Sequence, residues 1–400
     1  MPVGADLFLL ELFAIFVWAK VFGEIFEQMS LPGVLGEILA GVILGPHATG
    51  LVNPSDTVGS IAEVGAIFLL FTVGLETRPM DLIRVGRASL GVALAGVAAP
   101  FLLGFCYLAL RGQAKHEAVF VAAAMVATSV GITARVMSDL HVLNTPVARI
   151  ILGAAVFDDI LGMVVLTIVT GTVGSSFHWL HITVLIAEAI GFAVFMIFIG
   201  PRIVRRISPG VEKMSSHDAP LILALAICLG LSVAATKIGM AAIIGAFFAG
   251  MVFADYDSEW KISPRAHGIN EFLAPFFFFV MGSRLDISVF DNKVLMTAAV
   301  ITVLAILSKI FGCGLPVLHR GWREALQVGV GMTPRGEVAL IVALIGLQMK
   351  AISAQAYAVV VFMTGITTIV APVALRYLFR GEGADVATAE EQEISRSTMG

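Results

Sequence analysis

Apolar residues run along this chain in blocks, each long enough for a helix to cross a bilayer, separated by short polar or Gly/Pro-containing breaks. The breaks divide it into thirteen predicted helices: 6–25, 33–50, 58–75, 88–110, 117–139, 147–173, 179–203, 218–236, 238–254, 267–283, 294–318, 323–348 and 353–379. The division between the eighth and the ninth is the shallowest, because only Lys237 and Gly239 interrupt the apolar run there. Two segments are marked in mid-run. The fifth carries Thr128, Ser129, Gly131 and Thr133, and the twelfth carries Pro334 among Gly329, Gly331 and Gly336. Thirteen helices divide as six, one and six, which makes each marked segment the fifth of its set. The expected architecture is two six-helix inverted repeats, about 6–173 and 218–379, joined by a linker helix at 179–203. Interrupted hydrophobic segments at matching positions point to a transporter binding site.

Composition sets the class. Of 400 residues, 58% are hydrophobic and 14% charged, whereas soluble domains carry about 25% charged residues; mean hydropathy is +0.96. An all-α membrane protein of about thirteen transmembrane helices follows, and water-soluble enzyme classes fall away. Cys106, Cys228 and Cys313 lie far apart in apolar runs, and the eight histidines form no ligand pairs, so no resident metal or cofactor is expected, nor a nucleic-acid partner. Lys and Arg are sorted by loop. Sixteen fall on one face, including Arg78, Arg84, Arg87, Arg202, Arg205, Arg206 and Lys213, against six on the other: Arg111, Lys115, Lys237, Arg284, Lys293 and Lys350. This places the N-terminus outside and the C-terminus in the cytoplasm of a cell inner membrane. Asp6 precedes the first apolar run without a basic region, so that run is expected to be retained rather than cleaved. The transmembrane unit is expected to span 1–380, and the acidic, Ser/Thr-containing stretch 381–400 to be a short disordered tail.

The candidate chemistry is concentrated in a few residues. Asp158 and Asp159 lie well inside the sixth apolar run, where one ionised side chain costs on the order of 3 kcal/mol and two neighbours also repel. Adjacent residues on a helix point about 100° apart, so both can face a cavity without sharing one spot. Carboxylate oxygens suit a hard monovalent cation, and protons compete for the same atoms. Lys309, deep in the eleventh run, is the candidate counter-charge; snorkelling to an interface is the competing reading. The breaks in segments five and twelve would free carbonyls and half-helix ends that stabilise buried ions, and Thr128, Ser129 and Thr133 add hydroxyl oxygens. Arg335 and Glu337 form a candidate gating ion pair beside the second break. Glu11, Lys20 and Glu24 are expected to mark a partner-facing or interface-facing side of the first helix; Glu37, Glu63 and Glu76 suit helix-end or cavity-rim positions. Phe276 to Phe279 read as lipid or core packing. Gly329 and Gly331 follow no strand and make no dinucleotide fingerprint.

With these residues in view, the chain resembles the bacterial monovalent cation:proton antiporters of the NapA type. The similarity rests on Thr128, Ser129, Gly131 and Thr133 with Arg135, on Asp158–Asp159 within 153–162, on Lys309, and on Thr333, Pro334, Arg335, Gly336 and Glu337. It implies the crossing broken-helix antiporter fold, a homodimer, and a core that moves against a dimerisation domain in an elevator-like motion. It further implies that Asp159 binds Na⁺ and proton with Asp158 beside it, that Lys309 holds Asp158 in the cation-free state, and that exchange is electrogenic. Potassium-efflux relatives usually carry Gln-Asp in place of Asp158–Asp159 and a large cytosolic domain, which favours Na⁺ or Li⁺ here. Three alternatives remain: K⁺/H⁺ exchange, a sodium-coupled organic-anion symporter, for which Arg335 is the one candidate anion ligand, and a non-transporting sensor.

Overall fold

The computed structural model describes residues 3–29, 31–173, 179–211, 218–284 and 292–380. The expected tail at 381–400 lies outside them. The first half contains α1 (Val3–Gln28), α2 (Gly33–Leu44), α3 (Asp56–Leu75), α4 (Pro79–Leu110), α5 (Lys115–Val126), α6 (Val130–Asp139) and α7 (Pro146–Val173). Next come α8 (Trp179–Phe198) and α9 (Gly200–Val211) over the predicted linker. The second half contains α10 (Ala219–Lys237), α11 (Ala242–Phe253), α12 (Asp257–Trp260), α13 (Ile262–Ser283), α14 (Asn292–Gly314), α15 (Trp322–Gly331), α16 (Glu337–Gln348) and α17 (Ala354–Leu378). No strand occurs among the described residues.

Each predicted apolar segment coincides with one helix or with a pair in line. The fifth is broken into α5 and α6, and the twelfth into α15 and α16, at the residues that the pattern marked. The shallow division also holds. Gly239 takes a left-handed φ of 84° between α10 and α11, a turn that a side chain would strain. Boundaries differ where polar signals were weak: the second helix stops at Leu44 rather than running to 50, and the tenth begins at Ile262, five residues early. Among the described residues, eight helical stretches are long and apolar enough to cross a membrane, with shorter apolar helices at Gly33–Leu44 and Val338–Gln348. The protein is a multi-pass membrane protein.

Helix packing sorts the molecule into two bundles. α1, α2, α3, α10, α11 and α13 form one; α4 to α7 and α14 to α17 form the other. α8 touches both, through α7 and α11, α9 packs on α11, and α6 bridges to α3 and α2. Each bundle therefore takes three predicted segments from each half of the chain. Close packing in the first bundle depends on paired glycines. A Cβ on Gly41 of α2 would collide with the Phe279 carbonyl of α13, and one on Gly282 of α13 with the Ile38 carbonyl of α2. Gly74 and Gly250 do the same for α3 and α11, as expected where small residues let helices approach in lipid. The Phe276 to Phe279 run is core: all four rings are buried.

Candidate functional site

The site is built at the two helix breaks. Between Val126 and Val130, and again between Gly331 and Glu337, the chain leaves the helix, which frees carbonyls at one end and N–H groups at the other. The two breaks lie against each other. Ser129 donates its backbone N–H to the Pro334 carbonyl (2.8 Å), the Thr133 hydroxyl donates to the Gly331 carbonyl (2.7 Å), and the Thr128 hydroxyl donates to that of Met332 (3.4 Å). The Arg335 guanidinium, wholly buried, donates to the carbonyls of Thr333 (2.5 Å) and Ala305 (3.3 Å). Its own backbone is gripped by α17: the amide donates to Thr367 Oγ1 (3.2 Å), and Thr368 Oγ1 donates to its carbonyl (2.6 Å). A fixed cation thus caps the carbonyl end of α15, where the helix dipole is negative.

In the second break the carbonyls of Gly331, Met332, Thr333 and Pro334 are taken up by hydroxyls, an amide and Arg335. It is the N-terminal ends that face Asp159. A cavity of about 30 Å³ is lined by Asp159, by Thr128, Ser129, Val130 and Gly131 at the start of α6, by Gly336 and Val338 at the start of α16, and by Ala241, Ile243 and Ile244 at the start of α11. The Ala241 amide donates to Asp159 Oδ2 (3.2 Å). Three helix N-termini, each carrying roughly half a positive charge, therefore line the cavity beside the carboxylate, and that of α11 donates to it directly. Phe277 of α13 closes the wall. Among the described lining residues Asp159 is the one carboxylate, and the volume is about that of a single water.

Asp158 turns to another partner. Its carboxylate meets Lys309 Nζ at 3.2 Å, with side-chain exposures of 3% and 0%. Lys309 reaches it along α4 at Gly96, where a Cβ would lie 3.4 Å from Nζ and 2.5 Å from Cys313 Sγ. Lys309 is wholly buried against Asp158 rather than reaching out to an interface. The two carboxylates are thereby divided: Asp158 is held inside the second bundle, whereas Asp159 lies on the seam between bundles, bonded to Ala241 of the first.

The remaining candidates separate as follows. Arg335 bonds carbonyls as described, while the side chain of Glu337, its expected gating partner, lies outside the described residues. Lys20 pairs with Glu271 of α13 (2.9 Å) and Glu37 of α2 (3.9 Å). Glu271 also meets Arg135 of α6 (3.2 Å), which pairs with Asp139 (3.0 Å). This chain of charges crosses the seam and lines a cavity of about 820 Å³ that also holds Glu24 and Glu76. Glu11 accepts from the Ser55 amide at the start of α3 (2.5 Å). Glu63 lines a smaller cavity with Arg284, beside Phe277. Sequence reasoning missed Ala241, Phe277, Glu271, Thr367 and Thr368. Only Glu271, a charge inside an otherwise apolar segment, carried a signal that could have found it.

Comparison with known proteins supplies the lineage. Residues 12–381 match the family described as sodium/hydrogen exchanger, transmembrane. The chain is 34% identical to the high-affinity Na⁺/H⁺ antiporter NhaS3 of Synechocystis sp., an alignment covering 96% of this chain and 92% of that one. It is 33% identical to a Na⁺/H⁺ antiporter of Enterococcus hirae, over 91% of this chain and 96% of that one. Among solved structures, the sodium proton antiporter MjNhaP1 of Methanocaldococcus jannaschii at pH 8 shares the fold, with a TM-score of 0.65 at 20% identity, covering 93% of this chain and 96% of that one. A carboxylate on a helix-break seam, in a chain that matches this family along nearly its whole length, makes the protein a member of the sodium/hydrogen exchanger family.

Proposed function

We propose that this protein is a secondary transporter exchanging Na⁺ (or Li⁺) for protons across a cell inner membrane, with Asp159 as the carboxylate that binds each in turn. The observation that carries this reading is the cavity at Asp159: it is small, sits between two bundles, and is walled by helix N-termini. Ser129 and Thr128 hydroxyls offer further oxygens to a cation there. The family membership and the names of the relatives support it. An organic-anion symporter fits less well, since no basic residue is among the described residues lining the cavity and Arg335 is engaged with backbone carbonyls.

In this reading the cytoplasm-facing site loses its proton and accepts Na⁺. Neutralised, the second bundle slides against the first, and an external proton displaces the ion. Asp158 joins Asp159 when the cation is bound, and Lys309 neutralises it when the cation leaves, which makes the cycle electrogenic. The inverted repeats at about 6–173 and 218–379, the N-out and C-in orientation, and assembly as a homodimer through the first bundle belong to the same proposal.

The test is cation-induced collapse of a preformed pH gradient in proteoliposomes. Wild type should respond to Na⁺ and Li⁺, and Asp159→Asn to neither. Because proton and cation compete for one carboxylate, the apparent KM for Na⁺ should rise as pH falls, approaching tenfold per pH unit in the acid limb. A pH-independent KM, or full exchange by Asp159→Asn, would overturn the scheme. A response to K⁺ alone would keep the site and change the substrate.

A further inference from the structure

Another cavity, of about 860 Å³, shares no lining residue with the one at Asp159. Three parts of the chain meet there: Arg78, Pro79, Met80 and Arg84 at the start of α4, Arg202 and Arg205 at the start of α9, and Asp255 and Tyr256 just after α11. Four guanidinium groups thus line one concavity with a single carboxylate among the described lining residues. Ordinary sorting of positive charge to one membrane face would scatter arginines along the loops. Here two segments more than a hundred residues apart bring theirs together. The walls are apolar, with Ile197, Phe198 and Pro201 contributed by α8 and α9. Beyond the rim the surface of these helices continues as exposed Val194, Phe195, Ile199 and Ile203.

We propose that this pocket binds the phosphate headgroup of an anionic phospholipid, with its acyl chains lying on the exposed face of α8. Arginine suits the task because its planar fork offers paired donors to phosphate oxygens and sheds water more readily than lysine. The adjoining apolar stripe is what selects a lipid over a free phosphate: a soluble anion has no use for it, whereas hydrocarbon chains continue from the headgroup directly onto it. The pocket touches both bundles and the linker, so an occupied headgroup fastens their junction. The inference does not depend on the exchange reaction.

The experiment is thermal unfolding of the purified full chain in detergent, titrated separately with phosphatidylglycerol, phosphatidylcholine and inorganic phosphate. Wild type should be stabilised by phosphatidylglycerol alone. Each arginine near an anionic headgroup is worth about fivefold in affinity, so Arg78→Gln/Arg205→Gln should need roughly 30-fold more of that lipid for the same shift. Arg78→Lys/Arg205→Lys should fall between the two, and Arg111→Gln, outside the pocket, should match wild type. Circular dichroism of each variant before heating establishes that it is folded, and phosphorus content of the purified protein counts the lipid retained. An unchanged phosphatidylglycerol response in the double glutamine variant would overturn the site. Equal stabilisation by inorganic phosphate would overturn the lipid assignment.

Discussion

Asp158 and Lys309 each depend on the other. Removing the ammonium leaves a buried carboxylate unpaired, a change that costs about 3–5 kcal/mol, whereas replacing both partners with neutral groups is close to balanced. Lys309→Met should therefore lower the thermal midpoint by several degrees, and Asp158→Asn/Lys309→Met should regain most of it. If the double variant is no more stable than the single one, the pair is not what holds these charges. At this scale the acids and the lysine were legible in the sequence, because an ionised residue within an apolar run stands out against its surroundings. Ala241 was not legible. It acts through a backbone N–H that every non-proline residue possesses, and only its placement opposite Asp159 makes it a partner.

Helices in this protein are legible by their interruptions. Pro334 removes an N–H and restricts its neighbour, and the Thr128–Ser129 pair offers hydroxyls that compete for backbone partners. The breaks fall there for those reasons. Caps follow the same chemistry: Ser353 Oγ accepts the Ala356 amide (3.1 Å) at the start of α17, so Ser353→Ala should cost about 1 kcal/mol, read as an earlier unfolding midpoint. Packing between helices is less visible. Gly41 and Gly282 look like any glycine in an apolar helix, yet each faces a carbonyl across the α2–α13 contact. Gly41→Val should destabilise by about 1–3 kcal/mol, while Gly59→Val, with open space at its Cβ, should be tolerated. Equal effects in the two variants would show that α2 and α13 are not packed this closely.

Between whole bundles, the seam is held on one side by charges: Arg135 of α6 meets Glu271 of α13, which also holds Lys20. Any sliding of one bundle against the other has to break this contact. Glu271→Gln weakens it without changing volume. Deuterium uptake over Val130–Asp139 should then rise, with α4 unchanged, and exchange should remain measurable because Asp159 is untouched. Protection of α6 equal to that of wild type would show that the ion pair does not hold the seam.

The sequence by itself determined the class, the order of the helices, the two breaks and the pair of acids within an apolar run. Each of these follows from local physics: the length of an apolar run, the backbone restrictions of proline, the cost of a charge in hydrocarbon. What only the tertiary structure decided is the different surroundings of Asp158 and Asp159. Neighbours in sequence, they differ because α14 brings Lys309 to one while α6, α11 and α16 bring their positive ends to the other. Helices remote in the chain create that difference. It arises only when three segments of each half interleave into two bundles and leave one carboxylate inside, the other on the seam.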